Sequence, residues 1–262
     1  MIMDNPSKLS SNTKRNKFGT FGGVFTPDVL TILGVIMYLR LGWVVGNAGL
    51  LGAIAIIILA KSITLCTGLS MSSITTNIKI GAGGAYSIIS KSLGLEAGGS
   101  IGIPLYISQT LSAALYIIGF TEGWSFIFPG QNPLIIASIV WLALMGLSYF
   151  STLIAIRSQY VILAIIGISI LSFLFSPESP SESKELLGSF EDAGFWTVFA
   201  IFFPAVTGFT QGVSMSGDLK DPGRSIPRGT LAAVGVGFLI YCSQILICGG
   251  AQTRSQLLDA SF

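Results

Sequence analysis

Histidine is absent from the 262 residues, which excludes imidazole proton relays and histidine-ligated metals. Charge is scarce as well: Asp, Glu, Lys and Arg make up 10% of the chain, against 51% hydrophobic residues and a mean hydropathy of +0.77. Soluble proteins carry about a quarter charged residues, so this chain cannot coat a globular surface, whereas a lipid bilayer removes that need. The formal net charge of +2 comes from basic residues scattered over short polar stretches, which argues against a nucleic-acid partner. Cys66, Cys242 and Cys248 each lie inside an apolar run with no CxxC spacing, and read as packing residues. No HExxH, GxSxG or paired intramembrane carboxylates occur, and AGGAYSIISKSLG lacks the GxxxxGK[ST] pattern of a phosphate loop. Neither an enzyme nor a cofactor is expected.

What the chain does have is apolar length. A helical span needs about 20 mostly apolar residues, and seven such segments can be read near 25–46, 49–74, 97–121, 133–151, 159–176, 195–217 and 230–250. The first 22 residues are polar and basic with no apolar core, as in a cytoplasmic tail rather than a signal peptide. With that tail inside, alternate loops place Lys8, Lys14, Arg15, Lys17, Lys79, Lys91, Arg157, Lys220, Arg224 and Arg228 in the cytoplasm. Arg40, Lys184 and Arg254 fall outside, and Lys61 within the second segment. That bias predicts a multi-pass protein of the cell membrane with its N-terminus cytoplasmic.

Proline and glycine are placed unevenly. The first segment contains FTPDVLTILG, with Pro27 and Gly34, and the sixth contains FFPAVTGFTQG, with Pro204 and Gly208. Proline deletes a backbone donor and glycine eases unwinding, so both helices are expected to break near mid-membrane. Breaks in segments one and six suggest a five-plus-five inverted repeat; two ordinary proline kinks are the plainer alternative. A break exposes carbonyls on one side, which can replace the hydration shell of an alkali cation. On the other side it exposes amides at the positive end of a half-helix, which suit an anion. Carbonyls around Leu30 to Leu33 and around Pro204 are thus cation candidates. The amides of Gly34, Val35 and Ile36, and of Gly208, Phe209 and Thr210, are anion candidates.

Several ordered motifs resemble one family. FGTFGGVFTPDVLTILGVIMYLRLGWVVGNAGLLGA, ITLCTGLSMSSITTNIKIGAGGAYSIISKSLGLEAGGSIG, ALYIIGFTEGW and FAIFFPAVTGFTQGVSMSGDLKDPGRSIPRGTLAA are similar to the first, second, third and sixth spans, with their adjoining loops, of cation–chloride cotransporters. These are the sodium-potassium-chloride and potassium-chloride symporters of the amino acid–polyamine–organocation superfamily. The similarity runs from about Phe18 to Ala233 and weakens through segments four and five.

The resemblance implies an all-α membrane protein of LeuT-like five-plus-five inverted-repeat fold, truncated after about seven transmembrane helices. The tail would occupy 1–22 and the transporter domain 23–262, with the first repeat near 25–176 and the second beginning near 195–250. By the same resemblance, potassium is held by backbone oxygens of Thr31 and Ile32, the Tyr116 hydroxyl, and oxygens of Pro204 and Thr207. One chloride lies on the amides of Gly34, Val35 and Ile36, and a second on those of Gly208, Phe209 and Thr210. Where sodium is carried, carbonyls of Leu30 and Leu33 contribute to its site. The family commonly has Asn where this chain has Thr31, a change that a main-chain contact survives.

Arg40 and Glu122, near the outer ends of segments one and three, read equally as an external gate pair and as two solvated interfacial charges. Lys61 is expected to snorkel out of the membrane, and Asp28 to lie near the cytoplasmic mouth. GDLKDPGRSIPRG reads as a solvated cytoplasmic turn sooner than as an inner-gate clamp.

The expected activity is electroneutral symport of chloride with potassium by alternating access. Sodium coupling and pairing as a homodimer stay open. The segments that complete the family's sites lie beyond Phe262, so the chain is expected to be a fragment. Alternatives are an amino-acid or polyamine permease of the same superfamily and a non-transporting accessory subunit.

Overall fold

The computed structural model describes residues 17–78, 80–150, 152–175, 186–188, 190, 193–251 and 257–258. Lys8, Lys14, Arg15 and most of the expected tail, with Lys79, Lys184 and Arg254, lie outside the described residues. A π-helical turn at Phe21–Phe25 runs into α1 (Thr26–Ile32), followed by α2 (Val35–Asn77), α3 (Gly84–Leu93) and α4 (Leu95–Ile127). Next come α5 (Pro133–Phe150), α6 (Thr152–Leu174), α7 (Phe195–Val206), α8 (Gln211–Ser214), a short 3-10 turn at Ser216–Asp218, and α9 (Pro222–Ala251). Among the described residues there is no strand, only one isolated bridge between Phe18 and Leu219. The protein is an all-α, multi-pass membrane protein; among the described residues, four helical stretches are long and apolar enough to cross a bilayer, and two shorter apolar helices lie at Pro133–Tyr149 and Phe195–Val206.

The first two expected segments share α2, which turns sharply at Gly49 (φ 67°, ψ 177°). A side chain there would be strained and would collide with the Gly188 backbone. The turn frees backbone groups that cannot go unpaired in an apolar setting. The segment around Gly188 meets them: Gly188 N–H donates to Ala48 O at 3.0 Å, Phe190 N–H to Asn47 O at 3.3 Å, and Leu51 N–H to Leu186 O at 2.9 Å.

Two helices begin earlier than their apolar runs. α6 starts at Thr152 and α9 at Pro222, because polar residues at a membrane surface extend a helix without adding hydropathy. Pro222 opens α9, where a missing N–H costs nothing.

The core lies where α1, both arms of α2, α7 and α9 meet. Ile32, Val44, Ile56, Ile57, Phe202, Val206, Tyr241 and Ile245 are each fully buried. By contrast α4, α5 and α6 present apolar side chains outward, among them Leu111, Leu142 and Ile165, a surface that a bilayer solvates.

Candidate ion-binding site

Both expected breaks are present, at the glycines rather than at the prolines. α1 is followed by the non-helical cap Leu33 (φ −88°, ψ 42°), and Gly34 is extended (φ −85°, ψ −167°) before α2 begins. α7 is followed by the extended cap Thr207 (φ −79°, ψ −179°), and Gly208 takes φ 96°. Pro27 sits in the first turn of α1 and Pro204 two residues before the end of α7, so neither occupies the unwound stretch itself.

The two breaks touch. The Thr31 hydroxyl lies 2.9 Å from Gly208 O, and also 2.8 Å from Pro27 O and 3.0 Å from Asp28 O in its own turn. Its single proton serves one of the three at a time. A Cβ at Gly208 would stand 2.7 Å from Thr31 Cβ, so this approach requires glycine.

A cavity of about 70 Å³ opens beside the contact. Seven of the expected ion-site residues line it: Thr31, Gly34, Val35, Ile36, Tyr116, Pro204 and Thr207. The Tyr116 ring packs so closely on Gly34 that a Cβ there would lie 3.2 Å from Cε1. Val35 and Ile36 open α2, where helix geometry leaves amides without intrahelical acceptors. The lining also includes Ser112, Leu115 and Ala205, which sequence reasoning missed. Ser112 precedes Tyr116 by four residues, and helix periodicity alone puts it on the same face.

The remaining candidates lie elsewhere. Ile32 O does not line the cavity; it accepts a 2.6 Å hydrogen bond from the Tyr241 hydroxyl. Pro204 lines it, but its carbonyl already accepts from the Thr207 hydroxyl at 2.7 Å and the Thr207 N–H at 3.3 Å. Leu33 buries its side chain in the core, and Leu30 stands outside the cavity lining. Gly208, Phe209 and Thr210 form the turn into α8, also outside the lining. α8 is only four residues long, and a carboxylate already bonds its second amide, with Asp28 Oδ1 accepting from Gly212 N–H at 2.7 Å.

Asp28 is therefore not at an open mouth. It is fully buried, and its other oxygen accepts from the Thr230 hydroxyl at 3.0 Å. α1, α8 and α9 are thus tied through one side chain.

Lys61 does not snorkel. It is 5% exposed, its amine has no hydrogen-bond partner among the described residues, and Nζ stands 5.5 Å from the centroid of the Tyr241 ring. The reason is distance. From Leu50, after the Gly49 turn, to Lys61 is eleven helical positions, about 16 Å at 1.5 Å each, beyond the reach of one side chain.

Arg40 and Glu122 are paired, Nη2 to Oε1 at 3.4 Å, with both side chains roughly two-fifths exposed. GDLKDPGRSIPRG is more than a solvated turn. Phe18 N–H donates to Asp218 O at 2.8 Å and Lys220 N–H to Phe18 O at 2.9 Å, while Thr20 Oγ1 and Ser225 Oγ are 3.1 Å apart.

This pairing of broken helices sits within a recognised framework, since residues 23–260 match the amino acid permease family. The chain belongs to the amino acid permease family. It is also 36% identical over 261 residues to human solute carrier family 12 member 1, covering 90% of this chain and 24% of that protein. To human solute carrier family 12 member 8 it is 37% identical over 257 residues, covering 92% of this chain and 36% of that protein. To solute carrier family 12 member 2 of Squalus acanthias it is 36% identical over 263 residues, covering 91% and 22%. The chain therefore spans between about a fifth and a third of the length of these relatives. The matches bear out the family resemblance read from the motifs.

Proposed function

We propose that this chain carries the ion-binding core of a secondary transporter that moves chloride together with potassium by alternating access. The observation that supports this reading best is the meeting of two helix breaks beside a cavity of about 70 Å³ lined by Thr31, Gly34, Tyr116 and Thr207. No charged side chain lines that cavity, which suits a pair of ions neutral in sum. Potassium is assigned to Thr31, Tyr116, Pro204 and Thr207, and chloride to the amides of Gly34, Val35 and Ile36 at the start of α2. Pairing the ions cancels the roughly 2.3 kcal/mol that each charge gains or loses per 100 mV, so flux follows chemical gradients alone. Residues 23–262 then form the membrane domain of a cell-membrane protein whose N-terminus faces the cytoplasm. The Arg40–Glu122 pair closes the external side.

The test is rubidium uptake by the full-length protein in proteoliposomes, with chloride replaced by gluconate and the membrane potential set with an ionophore. Uptake that needs chloride and ignores potential is the expected result. Uptake indifferent to chloride defeats the proposal.

A second reading, amino-acid transport, is favoured by the description of the matching family. It predicts uptake of a labelled amino acid and no rubidium movement. The cavity, about 70 Å³, suits monatomic ions with a few waters better than a substrate bearing a side chain.

A further inference from the structure

The sequence reading passed over Tyr241, a lone tyrosine in the middle of an apolar span. It is fully buried on α9, and its hydroxyl reaches both broken helices at once. Oη lies 2.6 Å from Ile32 O, at the last residue of α1, and 3.0 Å from Ala205 O, one residue before the end of α7. The ring is gripped on two sides. Phe202 stands edge-on at 5.4 Å and 81°, and the Lys61 amine caps a face at 5.5 Å. That contact gives the buried ammonium a use, since a cation over an aromatic face is held by the ring's quadrupole.

Carbonyls in the last turn of a helix have no intrahelical donor, so their peptide planes are free to tilt unless something else holds them. Here a single phenol proton is shared between one plane in each break, with the shorter contact to Ile32 O and the longer to Ala205 O. Ile32 directly follows Thr31 in α1, and Ala205 itself lines the cavity. Tyr241 does not line it; it stands behind the carbonyls.

We propose that Tyr241 is a positioning residue for the cation, its hydroxyl proton, shared between Ile32 O and Ala205 O, keeping the ends of α1 and α7 at the separation and tilt that the ion requires. The assignment rests on the transport reading above. It places the cation's affinity partly in a side chain that never touches it.

The test uses the full-length protein in proteoliposomes and measures the half-saturating concentration of rubidium at saturating chloride. Tyr241→Phe keeps the ring and removes only the donor. Half-saturation should rise about fivefold, the consequence of losing one hydrogen bond of ordinary strength. Chloride half-saturation at saturating rubidium should stay within twofold. Replacing Tyr241 with 3-fluorotyrosine, a more acidic phenol and stronger donor, should move rubidium half-saturation the opposite way.

Opposed shifts in the two variants are the expected signature. An unchanged rubidium half-saturation in both, with only the amount of active protein reduced, overturns the assignment and leaves Tyr241 a packing residue. Shifts of the same sign overturn it too, because donor strength is lost in one variant and raised in the other. If the unaltered protein shows no chloride-dependent rubidium uptake, the transport reading fails first and the assignment falls with it.

Discussion

Replacing Asp28 with alanine should be among the most damaging single changes in the chain, and the structure says by how much. The carboxylate accepts from Gly212 N–H at 2.7 Å and from the Thr230 hydroxyl at 3.0 Å, and no part of it reaches solvent. Truncation leaves two buried donors without acceptors, each costing about 1–3 kcal/mol, which puts the loss at roughly 4 kcal/mol. For a chain of this size about 2–4 °C accompanies each kcal/mol, so melting in detergent should fall on the order of 10 °C. Asp28→Asn separates bonding from charge. Its carbonyl can still accept from Gly212, and its amide can donate to the Thr230 oxygen, so its melting temperature should stay within about 4 °C of the unaltered protein. Tryptophan fluorescence during heating of the full-length protein reads both variants. The reasoning is refuted if the alanine variant melts with the unaltered protein, or if asparagine is as damaging as alanine.

Other substitutions test other parts of the argument. Gly208→Ala forces a side chain into φ 96° and against Thr31 Cβ at 2.7 Å; it should cost at least about 1–2 kcal/mol from backbone strain alone and abolish rubidium uptake, and normal uptake would show that the breaks need not touch. Lys61→Met removes a buried amine that lacks a hydrogen-bond partner among the described residues and shortens the side chain by a single atom. A buried charge is costly unless paired, so melting should rise by several degrees, and a fall would show that the contact with the Tyr241 ring outweighs the cost of burying the amine. Arg40→Ala breaks a half-exposed pair at 3.4 Å; stability should change by less than about 1 kcal/mol, as measured by the same melting assay, while a larger loss would mean the pair is far better shielded than its exposure indicates.

Much of this architecture was readable from hydropathy and glycine. Apolar length gave the helices, and Gly34 and Gly208 marked both breaks, because a backbone that leaves the helix inside an apolar layer favours residues without a Cβ. Proline was a poorer guide. Pro27 sits in the first turn of α1 and Pro204 two residues before α7 ends, so neither marks the unwound stretch itself.

The charged residues were misread, and for a common reason. Hydropathy assigns Asp28 and Lys61 to water, yet the partners that keep Asp28 inside, Gly212 and Thr230, lie 184 and 202 positions away. Lys61 likewise meets the Tyr241 ring from a different helix. Tyr241 carried a signal in hindsight: a hydroxyl in the middle of an apolar span must find an acceptor, and the nearest unpaired ones are carbonyls at helix ends. Periodicity cannot say which ends.

The bridge between Phe18 and Leu219 has a mechanical corollary. Phe18 leads into α1 and Leu219 directly follows the short turn after α8, so a pair of main-chain bonds rivets together the stubs of both interrupted spans on one side of the fold. Neither stub can swing away alone without snapping that rivet. Any opening of the fold on that side would therefore require the two to move as one jaw, or the rivet to unzip first, and the strength of two backbone bonds would then set how readily the gap forms.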